Sequence, residues 1–228
     1  RDESLRLVGS EMCIRDRLDM DGTLLDLHFD THFWLEHVPA RYAEAHGLEP
    51  EAAREKLMRR YKQAEGTLDW YCVDYWSEQL QLDIAVLKQE VDHLINVRPY
   101  VITFLQSLAN TGRRRVLVTN AHGKSLSLKM RKTPIGDHLD EIITAHDLGL
   151  PKEQPAFWDK LQHRLPFERE RTLLIDDSLS VLQSAEQYGI RHLRAILQPN
   201  SRIDPSPHDN YLHIDRFADI IPLPESAN

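Results

Sequence analysis

"LDMDGTLLD" (residues 18–26) sets two carboxylates, Asp19 and Asp21, on either side of one methionine and directly before a glycine. A third and a fourth, Asp26 and Asp30, follow closely. Gly22 lets the chain turn sharply there, because glycine has no Cβ to forbid left-handed backbone. Two later stretches repeat the pattern of a short apolar run ending in polar groups. "VLVTN" (116–120) ends in Thr119 and Asn120, and "LLIDDS" (173–178) ends in Asp176 and Asp177.

Around these stretches the pattern alternates. Strands are expected in "RRVLVTNA" (114–121), "LDEIITA" (139–145), "RTLLIDDS" (171–178) and "IRHLRAIL" (190–197). Helices are expected between them, in "GKSLSLKMRKT" (123–133), "QPAFWDKLQHRL" (154–165) and "LSVLQSAEQYG" (179–189). In "RPYVITFLQSLANTG" (98–112), Val101, Phe104, Leu105 and Leu108 share one helical face, with Pro99 at the start and Gly112 past the end. Continuous apolar strands alternating with helices predict an α/β fold: a doubly wound parallel sheet covered on both faces. The stretch 198–211 reads as loop.

Residues 31–96 break this alternation with four helical patterns and no convincing strand. They are 31–48, ending near Gly47, where a left-handed cap is expected; 49–66, before Gly66; 67–83; and 84–95. The expected organisation is an α/β core from 18–27 and 98–228 with a small α-helical cap, 28–97, inserted into it.

The composition bounds the function. A net charge of −8 over 228 residues argues against a nucleic-acid or anionic-membrane surface. No apolar run approaches a membrane span, and no secretory pattern opens the chain. A cytoplasmic location is expected. Two cysteines, Cys13 and Cys72, are too few for a disulfide framework and form no metal-type cluster in the sequence.

In open α/β sheets ligands bind outside the carboxyl ends of the strands, so Asp19, Asp21, Thr119, Asn120, Asp176 and Asp177 are expected in one crevice. Lys152, in "GLPKEQ" (149–154), opens a helix that reaches the same place. Crowded carboxylates repel one another unless a cation sits among them, and hard oxygen ligands suit Mg²⁺. A carboxylate is also a competent nucleophile toward phosphorus, and a second acid can protonate the leaving oxygen.

In this order and spacing, "DMDGTLLD", "VLVTN", "PKE" and "LLIDDS" resemble the four motifs of the haloacid dehalogenase superfamily of phosphohydrolases. The resemblance spans residues 18 to about 197. It implies Asp19 as nucleophile, Asp21 as general acid/base, and Thr119, Asn120 and Lys152 as phosphate-binding residues. It further implies Mg²⁺ held by Asp19, the Asp21 carbonyl, Asp177 and Asp176. Two stretches, "DLHFDTHFW" (26–34) and "TLDWYCVDYWSEQLQLDI" (67–84), are similar to the purine 5′-nucleotidases of this superfamily. That likeness implies hydrolysis of small phosphomonoesters such as GMP and IMP.

Trp70, Tyr71, Tyr75 and Trp76 offer flat surfaces for a purine, although aromatic residues at helical spacing usually pack a core. Asp74 could meet a base edge, or lie on a solvated helix face. His28 and His122 read as polar packing, and Arg113, Arg114 and Arg115 as a solvated turn. A phosphatase or phosphomutase acting on sugar or organic-acid phosphates remains an alternative, as does a catalytically idle binding domain. The sequence does not give the oligomeric state.

Residues 7–17, "LVGSEMCIRDR", resemble one reading frame of a transposon-end sequencing adapter, so residues 1–17 are expected to be non-native. Family members carry an apolar strand before the first motif. Here Arg15, Asp16 and Arg17 would enter a buried sheet, at a cost in stability.

Overall fold

The computed structural model describes residues 15–207 and 210–221. A six-stranded parallel sheet is built from β1 (Arg15–Leu18), β2 (Arg114–Thr119), β3 (Glu141–Thr144), β4 (Thr172–Asp176), β5 (His192–Ile196) and β6 (Leu212–Ile214). The strand order is β3-β2-β1-β4-β5-β6, so chain direction across the sheet reverses beside β1. Four strands, β2 to β5, fall where the alternation predicts them. The sixth, β6, has three residues and one buried side chain, which is too short for a periodic signal. It pairs with β5 just beyond the stretch read as loop.

The pleat divides the core. Leu18, Leu117, Leu173 and Ile175 point to one face, where they meet Phe104, Leu105 and Leu108 of α6 (Val101–Asn110) and Leu128 of α7 (Gly123–Lys132). Val116, Val118 and Leu174 point to the other. There they pack on Phe157, Trp158 and Leu161 of α9 (Pro155–Arg164) and on Val181, Leu182 and Ala185 of α10 (Leu179–Tyr188). At about 25 cal/mol per Å² of apolar area, this two-sided burial is the main favourable contribution to folding.

Between β1 and α6 lies the helical insertion. α1 (His28–His32) runs through a π-helical turn (Phe33–His37) into α2 (Val38–His46), which ends on Gly47 at φ +60°. α3 (Pro50–Ala64), α4 (Val73–Leu80) and α5 (Ile84–Glu90) follow. The third expected helix, 67–83, is broken. A 3₁₀ turn (Asp69–Tyr71) precedes an extended Cys72, and α4 begins only at Val73. The indole Nε1 of Trp76 donates to the Trp70 carbonyl at 2.9 Å, which holds this break in place. The chain enters and leaves the insertion side by side: Asp26 N donates to Asn96 O at 2.9 Å and Arg98 N to Leu24 O at 3.0 Å. Among the described residues, no helix is long and apolar enough to cross a membrane.

β1 is the centre of the sheet, hydrogen-bonded to both β2 and β4. The sheet therefore takes in residues 15–17, upstream of the expected core boundary at 18. Most of the adapter-like stretch, with Cys13, lies in residues 1–14, outside the described residues. Asp16 and Arg17 are fully buried. The guanidinium of Arg17 stacks over Phe167, 3.8 Å from the ring centroid. Asp16 lies on the opposite face, and neither of its carboxylate oxygens has a hydrogen-bond partner among the described residues. Burial raises its pKa to about 7, against the pull of Arg113 and then Arg17. Arg113, expected in a solvated turn, is itself buried, while Arg114 and Arg115 open β2 and pair with Glu141 and Asp140.

A carboxyl whose pKa is higher in the folded chain stabilises it below the unfolded pKa, and this stability is lost as pH rises to the folded value. Thermal stability is therefore expected to fall between about pH 4 and 7 on account of Asp16. Asp16→Asn should flatten that decline and stabilise the protein above neutral pH by about 1–4 kcal/mol. Thermal unfolding followed across pH checks this.

Candidate active site

Each strand of the central trio delivers its polar residues to the same edge of the sheet. β1 continues its ladder as Asp19 N donates to Ile175 O at 3.0 Å. The chain then turns back on itself, with Leu25 N donating to Met20 O and Gly22 N to Leu25 O, both at 2.8 Å. Gly22 has φ +82°, and a Cβ there would collide with the Asp177 carboxylate. Glycine is required twice at this position, by backbone and by space.

Asp19, Asp176 and Asp177 place carboxylate oxygens within 4.8 Å of one another. Lys152 lies between two of them, its Nζ donating to Asp19 Oδ1 at 2.5 Å, Asp176 Oδ2 at 2.7 Å and Val118 O at 3.1 Å. It comes from a turn ahead of α9 rather than from the helix itself. Burial raises Asp19 to about 6, with Asp176 adding to the shift and Lys152 opposing it. Burial also raises Asp176, and raises Asp177 strongly with help from the neighbouring Asp19 and Asp176. Lys152 is raised despite its burial, by the charges of Asp176 and Asp19. So many carboxyls pushed toward neutrality, facing one ammonium, make a hard-oxygen cluster suited to a small divalent cation.

Thr119 is buried at the end of β2, its Oγ1 accepting from Ala121 N at 3.0 Å. Asn120 is occupied in holding the neighbouring turn. Its Oδ1 accepts from Lys152 N at 2.9 Å and its Nδ2 donates to Glu153 Oε2 at 3.0 Å.

Asp21 is engaged differently. Lys129 of α7 donates to Asp21 Oδ1 and to Asp30 Oδ2, each at 2.6 Å. Lys88 of α5 donates to Asp30 Oδ1 at 3.0 Å. Burial opposes ionisation of Asp30, but Lys129 and Lys88 outweigh it and hold the carboxyl at about 2. Burial raises Asp21 to about 6, with Lys129 pulling down and Asp30 and Asp19 pushing up. Neither lysine is identified from the motifs. A signal was present in the helical stripes: Lys129 follows Ser125 and Leu128, and Lys88 follows Ile84 and Leu87, at the i, i+3, i+4 spacing of a buried face.

Above the carboxylates is a cavity of about 380 Å³, lined on one side by the helical insertion. Trp70 and Tyr71 line it, as do Trp34, Tyr61 and Trp76. Tyr61 packs edge to face on Trp76, Trp34 and Trp70, its centroid 5.0 Å from the first at 90° and 5.7 Å from the second at 83°. Tyr75 is outside the lining. So is Asp74, which is over half exposed and pairs with Lys124 at 2.5 Å, as a solvated helix face would allow. Tyr71 Oη donates to Glu153, joining the insertion to the turn that carries Lys152. His122 is on the cavity wall. There Cys72, His122 and His146 approach one another, so the sequence reading that Cys72 joins no metal-type cluster is corrected. Folding brings together three residues that are remote in the chain.

A family model described as haloacid dehalogenase-like hydrolase matches residues 18–195. The GMP/IMP nucleotidase YrfG of Escherichia coli (strain K12) is 39% identical over 205 residues, covering 90% of this chain and 92% of that protein. Among solved structures, a HAD phosphatase from Thermococcus onnurineus superposes with a TM-score of 0.75 at 24% identity, covering 90% of this chain and 94% of its own. The HAD-hydrolase YfnB of Bacillus subtilis, solved bound to magnesium, gives 0.62 at 19% identity, covering 91% and 96%. At these identities the two structures speak for the fold, while the family match and the sequence relative speak for the chemistry. The chain is a phosphohydrolase of the haloacid dehalogenase-like hydrolase family.

Proposed function

We propose that the protein hydrolyses purine nucleoside 5′-monophosphates through a phosphorylated Asp19. The observation that carries this reading is the convergence of Asp19, Asp176, Asp177 and Lys152 beneath an aromatic-lined cavity. The 39% identity to a protein named a GMP/IMP nucleotidase supports the choice of substrate.

Asp19 attacks phosphorus with one carboxylate oxygen while the ester oxygen departs opposite it. Asp21 gives its proton to that oxygen, and the nucleoside leaves. Asp21, now a carboxylate, takes a proton from water, and the hydroxyl displaces Asp19 to release inorganic phosphate. A carboxyl raised to about 6 serves both duties, because each protonation state is accessible near neutral pH. Thr119 and Lys152 bind the phosphoryl oxygens, and Asn120 positions Lys152 through its backbone.

Mg²⁺ fits the oxygen set of Asp19, Asp176, Asp177 and the Asp21 carbonyl, and when bound there it neutralises charge that the phosphoryl group and the carboxylates otherwise share. The aromatic cavity supplies stacking surface for a base, and the insertion excludes water from the carboxylates. Lys129 is a positioning residue that holds Asp21 and keeps it apart from Asp30.

Phosphate release from GMP, IMP, AMP and sugar phosphates tests the assignment. Purine monophosphates should be preferred, chelation of divalent metal should abolish turnover, and Asp19→Asn should release no phosphate. Release from sugar phosphates alone would overturn the substrate class, and equal release by Asp19→Asn would overturn the mechanism. Lys129→Met should lower kcat by about 100-fold and destabilise the fold by roughly 3–5 kcal/mol, since Asp21 loses its lysine and Asp30 keeps only Lys88. Losing that cation raises the Asp21 pKa further, so the limb on which rate declines with rising pH should move upward. Lys129→Arg should recover part of both effects.

A further inference from the structure

We infer that Cys72, His122 and His146 form a second metal site, of thiolate and imidazole ligands, that binds a transition metal of the Zn²⁺ class and ties the helical insertion to the core. Their ligand atoms lie within 4.8 Å of one another. Four-coordinate zinc, with bonds of about 2.0–2.3 Å, needs its ligands roughly 3.4–3.7 Å apart, so small side-chain adjustments suffice. The donor set is also distinct from the oxygen cluster below it. Sulfur and imidazole nitrogen select zinc and its neighbours, whereas carboxylates select magnesium.

The three ligands come from three separate elements. Cys72 is the extended residue that caps α4, and its thiol is free. His122 caps α7, its Nδ1 accepting from Lys124 N at 3.3 Å. His146 opens the short helix α8 (Ala145–Leu148) that follows β3. The two rings meet edge to face with centroids 4.9 Å apart. A second observation points to a ligand: Nε2 of His146 is buried with no hydrogen-bond partner among the described residues. A buried ring nitrogen in that position costs free energy unless something accepts its lone pair or its proton. Asp74 stands outside the trio, its Oδ2 3.8 Å from Nε2 of His122, which leaves the fourth position to water. The His122 cap bond is long at 3.3 Å, so the ring can give it up to coordinate through Nε2 with the proton on Nδ1. Metal binding would release the Cys72 proton to solvent.

Position gives the site its consequence. Cys72 belongs to the insertion, while His122 and His146 belong to the core, and His122 stands on the wall of the catalytic cavity. A metal shared by them would staple the insertion down over the carboxylates. Resting on the phosphatase reading above, this predicts inhibition by zinc through slowed exchange of substrate and product.

Cobalt titration of the metal-free full chain tests the site without any activity measurement. One equivalent of Co²⁺ should give a near-ultraviolet thiolate-to-cobalt charge-transfer band. Cys72→Ser, which retains Cys13, should lose that band, and His146→Ala should bind at least about 10-fold more weakly. Absence of the band, or its persistence in Cys72→Ser, overturns the site. In the presence of saturating Mg²⁺, zinc should inhibit the unaltered protein and inhibit Cys72→Ser at least about 10-fold less. Equal inhibition of both overturns the staple. If no phosphomonoester is turned over, the reading of the catalytic pocket fails, while the cobalt result stands separately.

Discussion

Lys152 sets one ammonium between two buried carboxylates, Asp19 and Asp176, and the polar end of the sheet is organised by that contact. Without a cation, three carboxyl groups within 4.8 Å could not remain ionised in a buried crevice. The surrounding structure serves the same constraint. β1 and β4 are hydrogen-bonded neighbours, which puts Asp19 and Asp176 side by side. Asn120 fixes the backbone of Lys152, and Gly22 leaves room for Asp177. A second lysine, Lys129, does for Asp21 and Asp30 what Lys152 does for the first pair. The two acidic residues of the first motif therefore stand in different electrostatic settings although one residue separates them. Each has its own buried lysine.

The helical insertion is joined to the core by polar contacts rather than by covering alone. Tyr71 reaches Glu153, Lys88 and Lys129 share Asp30, and Lys124 meets Asp74. The break between the 3₁₀ turn and α4 matters here, because a continuous helix through 67–83 would present Trp70, Tyr71 and Cys72 in other directions. The aromatic residues form one edge-to-face cluster in which Trp76 is buried and Trp70 remains partly open. Core packing and cavity lining are thus done by the same rings, and the sequence pattern could not separate the two roles.

β1 carries a tension of its own. The central strand of a parallel sheet is buried on both faces and is normally apolar, yet here it reads Arg-Asp-Arg-Leu. The backbone ladder to β2 and β4 is complete through these residues, so register is kept by main-chain hydrogen bonds and by Leu18. The side chains are accommodated at a cost: Arg17 lies over Phe167, and Asp16 feels the charge of Arg113 but has no hydrogen bond to either oxygen among the described residues.

Local chemistry was enough to read the α/β alternation, the helical insertion and the polar strand ends that hold Asp19, Asp21, Thr119, Asp176 and Asp177. Each depends on periodicity or on spacing within a few residues, and that information is contiguous in the chain. Tertiary packing alone decided the rest. Lys129 and Lys88 became partners of Asp21 and Asp30 because α5 and α7 fold against the first motif, across 58 and more residues of chain. Asp74 turned to Lys124, and Cys72 met His122 and His146, for the same reason. A buried ion pair or a ligand cluster is set by which faces of distant helices come into contact, and no window of the sequence contains both sides of such a contact.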